Sequence, residues 1–189
     1  MINFSAYFDN ETGIIAVYFN GQETDWLKVA QAMAYFLLQD LYFKRPSRWI
    51  GAGLAEYIAY KSEKENAKSL ILDNLEYINW LYDRGEWEHA MDLFTYWASY
   101  ERMGFINPYS PVARVFYLRA WSLIHFFLEG GDPFYRDFFR QYLQYEKRDG
   151  FQTYASVYNY FREHLTQEQI HELDNQWGKY VLTLTFEKM

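Results

Sequence analysis

Hydrophobic and polar positions change their period once, near residue 23, and that change organises the whole chain. Before it, "INFSAYF" and "IIAVYFN" are short β-like runs separated by "DNETG", in which Asp9, Asn10 and Gly13 are turn residues. The pattern predicts a β-hairpin over residues 1–22 with a loop longer than two residues. After it, Trp26, Val29, Ala30, Met33, Ala34, Leu37, Leu38 and Leu41 follow helical spacing. Thr24 or Asp25 can cap that helix, and Pro46 stops it by denying the helical region to its predecessor.

From there helices run almost without a break. Spacing and punctuation predict them over 47–61, 63–83 (closed by Gly85), 86–102 (closed by Gly104), 110–129, 133–147, 151–163 and 167–183. Pro133 suits a first helical turn, where its missing N–H has no partner to lose. Thr166 and Gln169 stand at capping-box spacing. No linker or internal repeat divides the chain, so it reads as one domain over 1–189: a hairpin (1–22), a helix pair (23–62) and a helical subdomain (63–189). The fold class expected is α+β, mostly helical, with a hairpin or small sheet packed on about seven helices.

Composition changes this picture at three points. Aromatic residues make up 22% of the chain, chiefly as core rings, with a Tyr- and Trp-lined cleft as the sharper alternative. A formal net charge of −7 argues against a nucleic-acid partner, which needs a basic stripe. The chain has no Cys, so disulfides and thiolate metal sites are out, and no apolar run approaches the length of a membrane span. The first residues lack the basic and apolar regions of a signal peptide, which reads as a cytoplasmic location unless a leader has been removed.

The candidate chemistry lies at residues 49–57, W-I-G-A-G-L-A-E-Y. Zinc peptidases carry H-E-x-x-H on one helix: two His one turn apart bind the metal, and the Glu acts as general base on zinc-bound water. In the gluzincin class a second helix brings a Glu ligand in a context such as W-L-N-E-G-L-A-E-Y. Trp49, Gly53, Leu54, Ala55, Glu56 and Tyr57 match that context, while Gly51 and Ala52 depart from it, the latter at the ligand itself. Further matches are "AYFDNETGIIAVYFN", "YLRAWSLIHFFLEGGDPFYRDFFRQYL" and "QWGKYV". Together, over about residues 4–183, they resemble a family of uncharacterised, mainly bacterial, metallopeptidase-like proteins (domain of unknown function 1570).

The resemblance implies a gluzincin-like helical domain and places the H-E-x-x-H slot on "QAMAY", residues 31–35. Gln31 then stands for the first His, Ala32 for the catalytic Glu and Tyr35 for the second His, with Ala52 for the third ligand. These four are degenerate positions; no catalytic residue, no metal and no cofactor is expected. The remnant cleft is expected to involve Gln31, Tyr35, Trp49, Glu56 and Tyr117. In related enzymes an acidic side chain one turn after the Glu ligand orients the first His. Glu56 is accordingly expected to accept a hydrogen bond from the Gln31 amide, with Arg48 as a rival partner and an exposed helix-surface Glu as the plain alternative.

Other constellations carry less. "HELDN", 171–175, copies the zinc signature except for Asn175, and reads as a solvated face. His125 lies in an apolar helix, as a satisfied core His would; His89 and His164 look exposed. "KSEKENAK", 61–68, reads as a solvated helix start. The function expected is a catalytically inactive metallopeptidase-like domain with a binding or structural role, its candidate partner an extended peptide or a protein. The alternative is a zinc metallopeptidase whose ligands and base were removed by engineering.

Overall fold

The structure, a computed structural model, describes residues 6–9, 14–17, 24–41, 46–65, 68–87, 89–93, 111–149 and 153–188. Its helices are α1 (Thr24–Leu41), α2 (Arg48–Ser62), α3 (Lys68–Asp83), α4 (Pro111–His125), α5 (Pro133–Asp149), α6 (Tyr154–His164) and α7 (Gln167–Val181). A helical start at 90–93, a π-helical turn at Phe126–Gly130 and a 3-10 turn at Phe186–Lys188 complete it. The rest of the helix expected over 86–102 lies outside the described residues.

The α+β class, with a hairpin or small sheet packed on the helices, is corrected: the described residues are mostly helical, about 85%, and hold no sheet layer. Extended backbone among the described residues amounts to Ala6–Asp9 and Ile14–Val17, paired antiparallel with Ala6 opposite Val17. Two strands of four residues present too little surface to serve as a layer of the core. The core is helix on helix.

Helix α2 lies at the centre. It packs against α1 on one side and α4 on another, and Trp49, Ile50, Gly51, Ala52, Gly53, Ala55, Ala59 and Tyr60 are all buried. The small residues "GAG" let α4 come close. A Cβ added at Gly53 would lie 2.6 Å from the Ala120 carbonyl oxygen and 2.6 Å from Cγ1 of Ile124. Because one of those neighbours is backbone, Gly53→Ala must push the two helices apart. The expected loss is about 1–3 kcal/mol in urea unfolding; a variant as stable as the parent would show that α2 and α4 do not meet there.

Helix ends follow their punctuation. Gly85 has φ +66° and closes α3: its N–H reaches the Tyr82 carbonyl and the Glu86 N–H the Leu81 carbonyl, both at 2.9 Å. That is the Schellman arrangement, which needs a residue at ease in the left-handed region. Thr166 and Gln169 form the reciprocal capping box that their spacing predicts. Asp132 caps α5 through the Phe134 N–H, with Pro133 at its first position. Two boundaries differ from expectation. Glu63, Lys64 and Glu65 form a turn rather than the start of α3, since a charged run has no apolar stripe to bury. The helix expected over 110–129 changes to π geometry after His125.

The abundant rings sit in the core. Trp49, Trp121, Trp177, Tyr142, Phe126, Phe127, Phe139 and Phe161 are fully buried. Phe127 stacks on Phe139 with centroids 4.7 Å apart, and Phe138 meets Phe161 edge to face at 4.8 Å. No described helix is long and apolar enough to cross a membrane.

Candidate functional site

Glu56 is held between α1 and α2. It follows Ala52 by one turn and so shares its face. The Tyr60 hydroxyl, one turn further along α2, and the Gln31 amide of α1 stand near enough to its carboxyl to favour the charged form. Glu56 is not a plain surface Glu: its Oε2 is shut off from solvent and has no hydrogen-bond partner. Burial raises the pKa of the Tyr117 phenol, against the opposing charge of Arg48, the expected rival. Burial pushes the Glu56 pKa from 4.5 up to about 7, against the opposing pull of the two donors.

The network runs on into α3 and α4. Asn74 donates to the Tyr60 hydroxyl at 2.7 Å, and Arg114 donates to the Asn74 side-chain carbonyl at 3.2 Å. Three helices therefore contribute to one chain of hydrogen bonds, Tyr60 from α2, Asn74 from α3 and Arg114 from α4, with Glu56 and Gln31 of α1 on its near side. Burial and the Glu56 charge together hold the Tyr60 phenol well above its usual range, so it serves as a donor and stays neutral. Tyr117 of α4 lies near enough to feel the Glu56 charge. It is partly exposed and packs against the core.

No family model, curated protein or solved structure matches the chain.

The residues named from the sequence separate into three groups. Gln31 and Tyr117 lie near enough to Glu56 for each to share in its electrostatics, Gln31 from α1 and Tyr117 from α4. Trp49 does not line it: it is 0% exposed and packs against Phe139, Tyr142 and Phe161 of α5 and α6. The Tyr35 side chain lies outside the described residues. Ala52 is buried in α2 and Ala32 is partly exposed on α1, and neither methyl group has an electron pair to give a metal. With a neutral amide at Gln31 beside Glu56, these residues do not fit zinc.

A second buried carboxyl escaped the sequence reading. Glu146 of α5 accepts hydrogen bonds from the Ser47 backbone N–H and, at 2.9 Å, from the Ser47 hydroxyl, fastening α5 to the start of α2. Tyr142 lies 3.4 Å from the Ser47 hydroxyl and accepts from Trp49 Nε1 at 3.3 Å. Burial raises the pKa of Glu146. An isolated Glu in "YLQYEKRD" carries no signal of this, because its partners lie almost a hundred positions away.

The remaining histidines behave as packing and surface groups. His125 is buried, with Nδ1 2.8 Å from the Tyr180 hydroxyl, and burial lowers its pKa to about 4. His89 and His164 are exposed, as are Glu168, His171 and Glu172. The zinc-like "HELDN" serves the fold instead: Asp174 accepts from the Ala90 N–H at 2.8 Å and sits 2.9 Å from His89 Nδ1.

Proposed function

We propose that this chain is a non-catalytic, metallopeptidase-like domain that binds an extended peptide at the junction of α1 and α2. The observation that carries this reading is the Gln31 amide standing beside the buried Glu56 carboxyl, across the contact between α1 and α2. The two occupy the positions where the resemblance puts a first metal ligand and the acidic group that orients it. The polar partnership is kept while the donors that would hold zinc are replaced by methyl groups and an amide. A helix pair of this kind retains a polar, partly exposed seam without the means to activate water.

Two measurements test it. Purified protein incubated with zinc and dialysed is expected to retain well under one equivalent and to cleave none of a broad peptide panel. Stoichiometric zinc with turnover would end the proposal. Conversely, the quadruple substitution Gln31→His, Ala32→Glu, Tyr35→His and Ala52→Glu is expected to create a site that retains one zinc. If that variant folds and holds no metal, the assignment of residues 31–35 to the ligand slot is wrong.

A further inference from the structure

An open groove of about 390 Å³ lies between α6, α7 and residues 89–92, within the size range of small-molecule sites. Met91, Tyr158 and the buried Ile170 give it apolar and aromatic walls. Its charged groups are sorted by position. Arg162 stands in the last turn of α6 and Gln167 at the start of α7, so both lie at the connection between the two helices. The dipole of α7 adds positive potential at that end. Asp174 lies two turns further along α7, beside His89 and Asp92.

The two ends are opposite in charge and do not satisfy one another. The Arg162 guanidinium lies over the Tyr158 ring, 5.7 Å from its centroid, and forms no ion pair with either aspartate. Asp174 accepts the Ala90 N–H at 2.8 Å and sits 2.9 Å from His89 Nδ1. Asp92 accepts the His89 N–H at 3.3 Å, is partly exposed, and has no cation paired with it among the described residues. Burial raises the Asp174 pKa, the Ala90 N–H and His89 oppose that rise, and the Asp92 charge adds to it. Two carboxylates close enough to repel are relieved by an added positive charge.

A ligand that answers both ends carries both charges. A metal ion does not fit, since no group of three His, Cys, Asp or Glu stands ready to hold one among the described residues. A simple organic cation leaves Arg162 unanswered, and a simple anion meets the aspartates. Gln167 and Asp174 are about 10 Å apart along α7 by the helical rise, a span that two or three extended residues cover.

We propose that this groove binds a free peptide of two or three residues, with its ammonium at Asp92 and Asp174, its carboxylate on Arg162 and its side chains against the apolar walls. The site shares no residue with the seam of α1 and α2 and does not rest on the reading above.

The test is an NMR titration of the full-length 15N-labelled chain with tri-alanine, N-acetyl-tri-alanine and tri-alanine amide. Tri-alanine is expected to shift the backbone amides of Ala90 and Gln167. Each cap is expected to weaken binding by about tenfold or more, as for loss of one charge-assisted bond. Arg162→Gln is expected to erase the penalty of the amide cap and keep that of the acetyl cap, and Asp92→Asn to do the opposite. Neither side chain is buried, so both variants keep the fold. Equal binding of the three probes overturns the proposal, as does the absence of any shift. Cap penalties that ignore both substitutions place the peptide elsewhere: they overturn this groove and leave the reading of α1 and α2 standing.

Discussion

Trp49→Ala destabilises the fold by about 3–5 kcal/mol, the range for truncating a fully buried large aromatic. The ring is 0% exposed and is ringed by Phe139, Tyr142 and Phe161 at centroid distances of 5.5 to 6.2 Å. Its removal opens a cavity bounded by α5 and α6, whose side chains are locked by contacts with one another and cannot collapse into it. The indole N–H is also lost from the Tyr142 hydroxyl, which stands next to Ser47 and Glu146. Trp49→Phe separates the two effects: it keeps much of the ring packing and loses the hydrogen bond, for an expected cost of about 1–2 kcal/mol. Urea unfolding with an unchanged slope measures both. An alanine variant within about 1 kcal/mol of the parent would contradict a core built around this ring.

Glu56→Gln has the opposite sign, and it depends on pH. In the folded chain Glu56 keeps its proton up to about pH 7, whereas the ordinary value is 4.5. Between those values the folded state binds the extra proton, so stability falls as pH rises and the loss is complete above about 7. The gap corresponds to about 3 kcal/mol. Glu56→Gln removes the titration while preserving the shape. It is therefore expected to match the parent near pH 4.5 and to exceed it at pH 8 by up to about 3 kcal/mol. The raised pKa values of Glu146 and Asp174 bend the parent's curve in the same direction, so the difference between parent and variant isolates Glu56. A difference that stays constant from pH 4.5 to 8 would show that Glu56 is not buried as an isolated carboxylate.

The candidate site was legible in part because its residues are close in sequence or share a helix face. Glu56 and Tyr60 are one turn apart, and Gln31 was reached by counting back from Ala52 through the resemblance. Asn74 and Arg114 were not reached, because nothing in "ILDNLEY" or "VARVFY" distinguishes a buried network member from an ordinary polar helical residue. Trp49 was placed in the cleft by its neighbours in a motif, but a motif records adjacency along the chain and not which way a side chain is buried. The π-helical turn after His125 left no trace in periodicity, since five residues are too few to shift a helical pattern.

Determined by the sequence alone are the local decisions: where helices begin and end, which stripe of each is apolar, and that positions 31, 32 and 52 carry an amide and two methyl groups. These follow from steric preference, capping and donor chemistry, each settled within a few residues. The tertiary structure decided what depends on distance in space. It set the helical class over the α+β one, brought Glu146 to the start of α2, and buried Glu56 deep enough to move its proton affinity into the neutral range. The reason is that burial and electrostatic environment are made by segments that meet only when the chain has folded.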